Sequence, residues 1–157
     1  MKLYHGTNQD FQEILLSKCR PNKDFGRGFY LTDIRSQAQH QAIRRCEFEG
    51  WGTPIIQVYQ FDKKWLNEPD LKVKVFNGVS HEWAEFILLN RKARGKQLHD
   101  YDIVVGPVAD DGVVYQLNLY TQHLITLDTL VKELTYRRLN NQYFFGTEKS
   151  INTLKRL

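Results

Sequence analysis

At 157 residues the chain falls within the roughly 100–200 residues of a single domain, long enough to close one core without disulfides or a structural metal. Its 41% hydrophobic, 25% charged and 13% aromatic composition is that of a globular protein, with disorder expected only at the ends. A formal charge of +4 and a pI near 9.0 favour encounters with anions such as nucleic acid, an acidic protein or a dinucleotide, without choosing among them.

No apolar run reaches the ~18 residues of a membrane span, and "MKLYHGTNQD" lacks the apolar stretch of a signal peptide. Cys19 and Cys46 form neither a CxxC pair nor a secreted framework, and read as reduced, partly buried thiols. A cytoplasmic protein is expected. Repeats, low-complexity tracts and linkers are missing, so residues 1–157 are expected to form one domain.

In chain order, Lys2 to His5 reads as a strand that turns at Gly6, and Thr7 or Asn8 caps a helix with Phe11, Ile14 and Leu15 on one face, ending near Lys18. The polar "CRPNKD" leads to a glycine-flanked strand at Phe29 to Leu31. Ile34, Ala38, Ala42 and Cys46 then recur every fourth residue, a narrow stripe of small side chains suited to close packing of a helix on a sheet. "IIQVYQF" and "LKVKVF" are strands, "HEWAEFILLNR" is a helix burying Trp83, Phe86 and Ile87, and "YDIVVGPV" is a fully buried strand. "ADDG" reads as a turn before "VVYQLNLY", and Leu127, Leu130, Val131 and Leu134 mark a helix. Gln142 to Phe145 is the last strand, followed by a C-terminal helix holding Ile151 and Leu154. The order is irregular and no GxGxxG opens a parallel dinucleotide fold, so the class is α+β, a mixed or antiparallel split sheet with flanking helices.

Three stretches invite a chemical reading. His5, Gly6 and Thr7 end the first strand, where side-chain and backbone hydrogen-bonding groups come together. In "FGRGFYLT", Gly26 and Gly28 allow close approach to the main chain and Tyr30 offers a flat stacking face, while Arg27 is a cation between them. In "LNNQYFFG", the amide of Gln142 opens an apolar strand. Each taken alone also suits an ordinary strand end, edge strand or turn.

Together these stretches resemble the ADP-ribosyltransferase superfamily, in the branch that includes diphtheria toxin and the poly(ADP-ribose) polymerases and carries a His-Tyr-Glu signature. "LYHGT" looks like the histidine motif, "FQEILLSKCRP" like the helix and loop after it, "FGRGFYLTDIRSQA" like the tyrosine motif and its helix, and "LNNQYFF" like the glutamate-bearing strand. "HEWAEFILLNR" through "HDYDIVVGPVADD" further resembles a bacterial group of uncharacterised domains in this superfamily, some thought to be toxins paired with antitoxins.

The resemblance implies an ADP-ribosyltransferase-like fold and NAD as substrate, with no metal. It implies His5, Tyr30 and Gln142 as catalytic residues: His5 on a ribose hydroxyl of the adenosine half, Tyr30 against the nicotinamide, and Gln142 on ribose hydroxyls. Gly6 would bond the carboxamide, Gly28 would leave room, Thr7 would support His5, and Arg27 would meet the pyrophosphate or an anionic target. The implied reaction moves one ADP-ribose to a protein, RNA or DNA acceptor, toxin-like and with a cognate antitoxin. The alternatives are an NAD glycohydrolase and a weak NAD- or ADP-ribose-binding module.

The chain departs from that pattern at Gln142, which carries no charge where the family has glutamate, and at Ala38 and Gln41, where the polymerases place a serine and a second stacking tyrosine. His40 or Trp83 is a replacement ring on this reading, and Glu82, Glu85, Asp110 or Asp111 a replacement acid.

Overall fold

Side chains of a strand alternate between the two faces of its sheet, so a fold can be followed by asking which residues share a face. The computed structural model describes residues 1–135 and 139–157, except for the Asp111 side chain. Its strands are β1 (Lys2–Thr7), β2 (Phe29–Thr32), β3 (Ile55–Phe61), β4 (Val73–Val75), β5 (Ile103–Pro107), β6 (Asn141–Phe145) and β7 (Leu154–Arg156). They form one seven-stranded sheet in the order β4-β5-β6-β2-β1-β3-β7. Only β4 and β5 run parallel; the other neighbours are antiparallel. This is a mixed α+β architecture.

Tyr30 faces Phe144 across β2 and β6, Thr32 faces Gln142, and Gly106 of β5 continues the latter row. Alternation therefore puts Tyr30, Thr32, Gln142 and Phe144 on one face. Phe144 and Val104 pack there into a core with Phe25, Trp83, Ile87, Val113, Leu117 and Leu130. On the other face Leu3, Phe29, Leu31, Tyr59, Phe61, Tyr143 and Phe145 form a second core.

The helices on the first face are α1 (Arg35–Glu49), α2 (His81–Arg91), α3 (Asp111–Thr121) and α4 (Leu127–Thr135). Ala38 and Ala42, both fully buried, bring α1 so close to β1 that a Cβ on Gly6 would lie 2.0 Å from the Ala38 carbonyl oxygen. The helix stops at Gly50, whose φ of 73° suits a left-handed cap and whose N–H donates to the Cys46 carbonyl at 2.9 Å. Ser80 and Asp110 cap α2 and α3, accepting from the N–H groups of Trp83 and Val113. Cys19 and Cys46 are free and half-buried, and among the described residues no helix is long and apolar enough to cross a membrane.

Four expectations need correction. Gly6 does not turn the chain; β1 runs on to Thr7, with Gly6 opposite Ile56. The segment from Phe11 to Lys18 is not an α-helix, and only Leu16–Lys18 makes a 3₁₀ turn. Its first carbonyl is taken from outside: Phe11 accepts from Gln57 Nε2 at 2.9 Å and from Arg156, and Phe11 and Ile14 pack against the second core. Leu154 is not helical, because α5 (Glu148–Ile151) closes in one turn and Leu154 then pairs with Phe61 at the edge of β3. Finally, α3 starts inside the expected "ADDG" turn. Trp83 and Ile87 are fully buried as expected, while Phe86 is only half-buried.

Candidate functional site

Between β1 and β2 the ladder has one matched pair, Tyr4 with Thr32. On the Thr7 side of that pair the strands fork, and His5 fills the opening: its Nδ1 lies 2.9 Å from the Tyr30 carbonyl oxygen. A carbonyl only accepts, so Nδ1 carries the proton and Nε2 of the neutral ring is left as an acceptor. The ring packs on Phe29 with centroids 4.4 Å apart and edge-on to Phe11 at 5.9 Å. Burial lowers the His5 pKa to about 4, with the Tyr30 bond opposing it and Arg45 and Lys23 adding to it. The imidazole is thus neutral at physiological pH. By alternation His5 belongs to the second face, so it reaches the Tyr30 strand through the fork rather than lying beside the phenol.

Tyr30 is held twice at its hydroxyl. Its hydroxyl donates to the Gly26 carbonyl at 2.8 Å and accepts from the Phe25 N–H at 2.9 Å. One side of the ring meets Phe144 edge-on at 5.3 Å, and the Lys23 ammonium sits 5.7 Å from its centroid. Burial raises the phenol pKa well above its ordinary value, and burial also lowers that of Lys23, against the pull of Asp24. The glycines around Tyr30 are needed by the protein itself. A Cβ on Gly28 would lie 2.2 Å from the Phe144 ring, and Gly26, at φ 87°, backs on to Gln97 and Asn90.

Gln142 shares the Tyr30 face, one step along. Its Nε2 donates to Asp24 Oδ2 at 2.7 Å and, more weakly, to the Pro107 carbonyl at 3.4 Å. Asp24 is 6% exposed. Its Oδ1 accepts from Arg91 Nε at 2.7 Å and lies 2.6 Å from Arg91 Nη2, while Oδ2 also accepts from the Ala109 N–H at 3.2 Å.

The carboxylate beside Gln142 is therefore Asp24, which sequence reasoning missed. It sits in the polar "CRPNKD" loop, where nothing marks it out from Asp or Glu of any surface loop, and its partner Arg91 is 67 positions away. Of the acids considered from sequence, Glu82 pairs with Lys74, Glu85 lies 4.0 Å from His81, and Asp110 caps α3; the Asp111 side chain is outside the described residues.

The remaining candidates spread out. Thr7 is buried at the end of β1, its hydroxyl donating to the Gln9 carbonyl at 3.1 Å. Arg27 is exposed and donates to the Ser17 carbonyl at 3.2 Å. Gln41 and His40 are exposed on α1. Trp83 is wholly buried with its indole N–H on the Pro107 carbonyl at 3.2 Å, so it cannot stack on a ligand without leaving the core. A hollow of about 400 Å³ lined by Asp70, Lys72, Asp100, Asp102 and Thr147 lies at the Asp102 end of β5, opposite the Pro107 end where Gln142 sits. Among the described residues no three or more His, Cys, Asp or Glu side chains gather as a metal site would require.

The constellation, then, is a neutral imidazole in the fork, a clamped phenol, and an amide leaning on a buried ion pair. No curated protein and no solved structure matches the chain. Over residues 1–156 it matches the model of a family described as a protein of unknown function (DUF3990), and it belongs to that family.

Proposed function

We propose that this chain is an NAD-dependent mono-ADP-ribosyltransferase with an ADP-ribosyltransferase-like fold. The observation that carries the reading is the fork: the neutral His5 ring, with Nε2 as its acceptor, bonds the Tyr30 carbonyl where β1 leaves β2, while the Tyr30 phenol and Gln142 share the other face of the sheet. In this reading Nε2 accepts from a ribose hydroxyl of NAD, the Tyr30 ring lies against the nicotinamide, the Gly6 backbone bonds the carboxamide, and the Gln142 carbonyl accepts from the second ribose. Thr7 supports the end of β1, Gly28 lets β2 lie against Phe144, and Arg27 meets phosphate by leaving the Ser17 carbonyl.

The nicotinamide–ribose bond breaks with its electron pair going to the nicotinamide, which departs neutral. A lone pair of the acceptor, on protein or nucleic acid, closes on the ribosyl carbon and the acceptor's proton passes to solvent. Charge develops on the sugar as the bond opens, so positioning and preorganised dipoles supply the acceleration. An amide at position 142 stabilises that charge less than a carboxylate would, and loss of one such group typically costs about 10²–10³ in rate.

Incubation with labelled NAD and cell lysate should release nicotinamide and label a macromolecule. The absence of both products would refute the reading. Label on free ADP-ribose alone would make the chain an NAD glycohydrolase. Growth arrest on expression, relieved by His5→Ala, is the matching result for a toxin held by an antitoxin.

A second reading, an NAD- or ADP-ribose-binding module, is favoured by the same amide together with the neutralisation of Asp24 by Arg91. NAD binding with no turnover would select it.

A further inference from the structure

We infer that Asp24 is the positioning residue of this site, holding the Gln142 amide with its nitrogen inward and its carbonyl oxygen outward toward the ligand; this rests on the function proposed above. The orientation follows from the chemistry of its neighbours. The inward end of the amide faces the Asp24 carboxylate at 2.7 Å and the Pro107 carbonyl at 3.4 Å, both of which only accept. Reversing the amide would set oxygen against oxygen at both. Arg91 and the Ala109 N–H hold Asp24 in turn, so three elements, α2, the end of β5 and the loop before Gly26, converge on one carboxylate to fix one amide. Among the described residues Gln142 Oε1 has no protein partner, and the side chain is half-buried.

The same contact explains why position 142 carries an amide. A glutamate there would bring a second carboxylate within about 3 Å of Asp24, and two carboxylates that close do not both ionise. One proton would be shared. Protonated, the introduced carboxyl of Gln142→Glu would donate to Asp24 and keep a carbonyl outward, imitating glutamine; ionised, it would be expelled from the pair.

The test uses the full chain and NAD itself, in Gln142→Glu and in the exchange Asp24→Asn with Gln142→Glu, which returns the pair to one charge and one amide. By calorimetry, wild-type affinity should be flat between about pH 6 and 9. Gln142→Glu should match it at the acid end and lose tenfold or more as pH rises and its shared proton leaves. The exchange should remove that basic limb. A Gln142→Glu profile as flat as wild type, or a limb that survives the exchange, overturns the proposal.

A second measurement needs no ligand. Followed by carbon-detected NMR, the carboxyl introduced at position 142 should titrate well above the ordinary carboxylate range in the single variant and return toward it in the exchange; an ordinary titration in the single variant also overturns the pairing. Failure of the wild type to bind NAD instead defeats the function reading and the role assigned to Oε1 with it, while the carboxyl titration still decides whether Asp24 orients residue 142.

Discussion

His5 shows how one buried ring ties stability to pH. Its pKa falls from an ordinary 6.5 to about 4 on folding, so between those values the unfolded chain binds the extra proton. Stability is therefore full above about pH 6.5 and is lost as pH falls toward 4, by at most on the order of 3 kcal/mol. His5→Gln, which keeps a donor for the Tyr30 carbonyl but does not titrate, should flatten urea midpoints across that window. An unchanged slope would place the acid sensitivity elsewhere. Lys23 makes a second prediction at this scale, because its ammonium occupies the Tyr30 ring face on which a cationic nicotinamide would stack. Cation–π contacts are worth about 0.5–1 kcal/mol at exposed sites, so Lys23→Ala should tighten NAD binding roughly two- to fivefold by calorimetry. Weaker binding would make Lys23 a ligand contact instead of a competitor.

At the level of elements, the approach of α1 to β1 depends on the missing side chain of Gly6. The helix backbone occupies the space of the absent Gly6 side chain, with the Ala42 nitrogen 2.8 Å from that position as well as the Ala38 carbonyl. Neither is a flexible side chain that can move aside. Gly6→Ala should therefore cost about 3 kcal/mol or more, as overpacking at a rigid contact does, seen as a lowered urea midpoint; near-wild-type stability would mean that α1 can slide. Glycine in "LYHGT" reads from the sequence as a turn, because the helix that fills its side-chain space begins 29 positions later at Arg35; the stripe of Ala38 and Ala42 announces close packing on a sheet but not on which strand. The strand at "LKVKVF" was readable because period-two alternation of apolar residues with lysine reports a face directly. The segment from Phe11 to Lys18 was misread because its helical spacing is local while Gln57 and Arg156, which claim the Phe11 carbonyl, are remote.

Across the whole molecule, the two ends of the chain meet behind the site. Arg156 of β7 donates to the Phe11 carbonyl and pairs with Asp10, and Gln57 Nε2 adds a bond to Asp10 Oδ1 at 2.8 Å. That clamp lowers the Asp10 carboxyl below its ordinary range, through the Gln57 and then the Arg156 hydrogen bonds. It also presses Phe11 against His5 and Phe29. The Tyr30-strand bond holds the imidazole from one side and the Phe11 ring closes the other, so the burial that keeps His5 neutral depends on a residue at the opposite end of the sequence. Such a link between positions 5, 11 and 156 is invisible to any reading that scans short windows, as is the pairing of Asp24 with Gln142. Arg156→Ala should release the segment, lower the melting temperature by roughly 3–6 °C, and let water reach the ring, moving the His5 pKa upward from about 4 toward its ordinary value. Imidazole NMR titration reads the second effect independently of the first. A lowered melting temperature with an unmoved His5 titration would confine Arg156 to edge-strand stability and break the proposed coupling between the C-terminal strand and the fork.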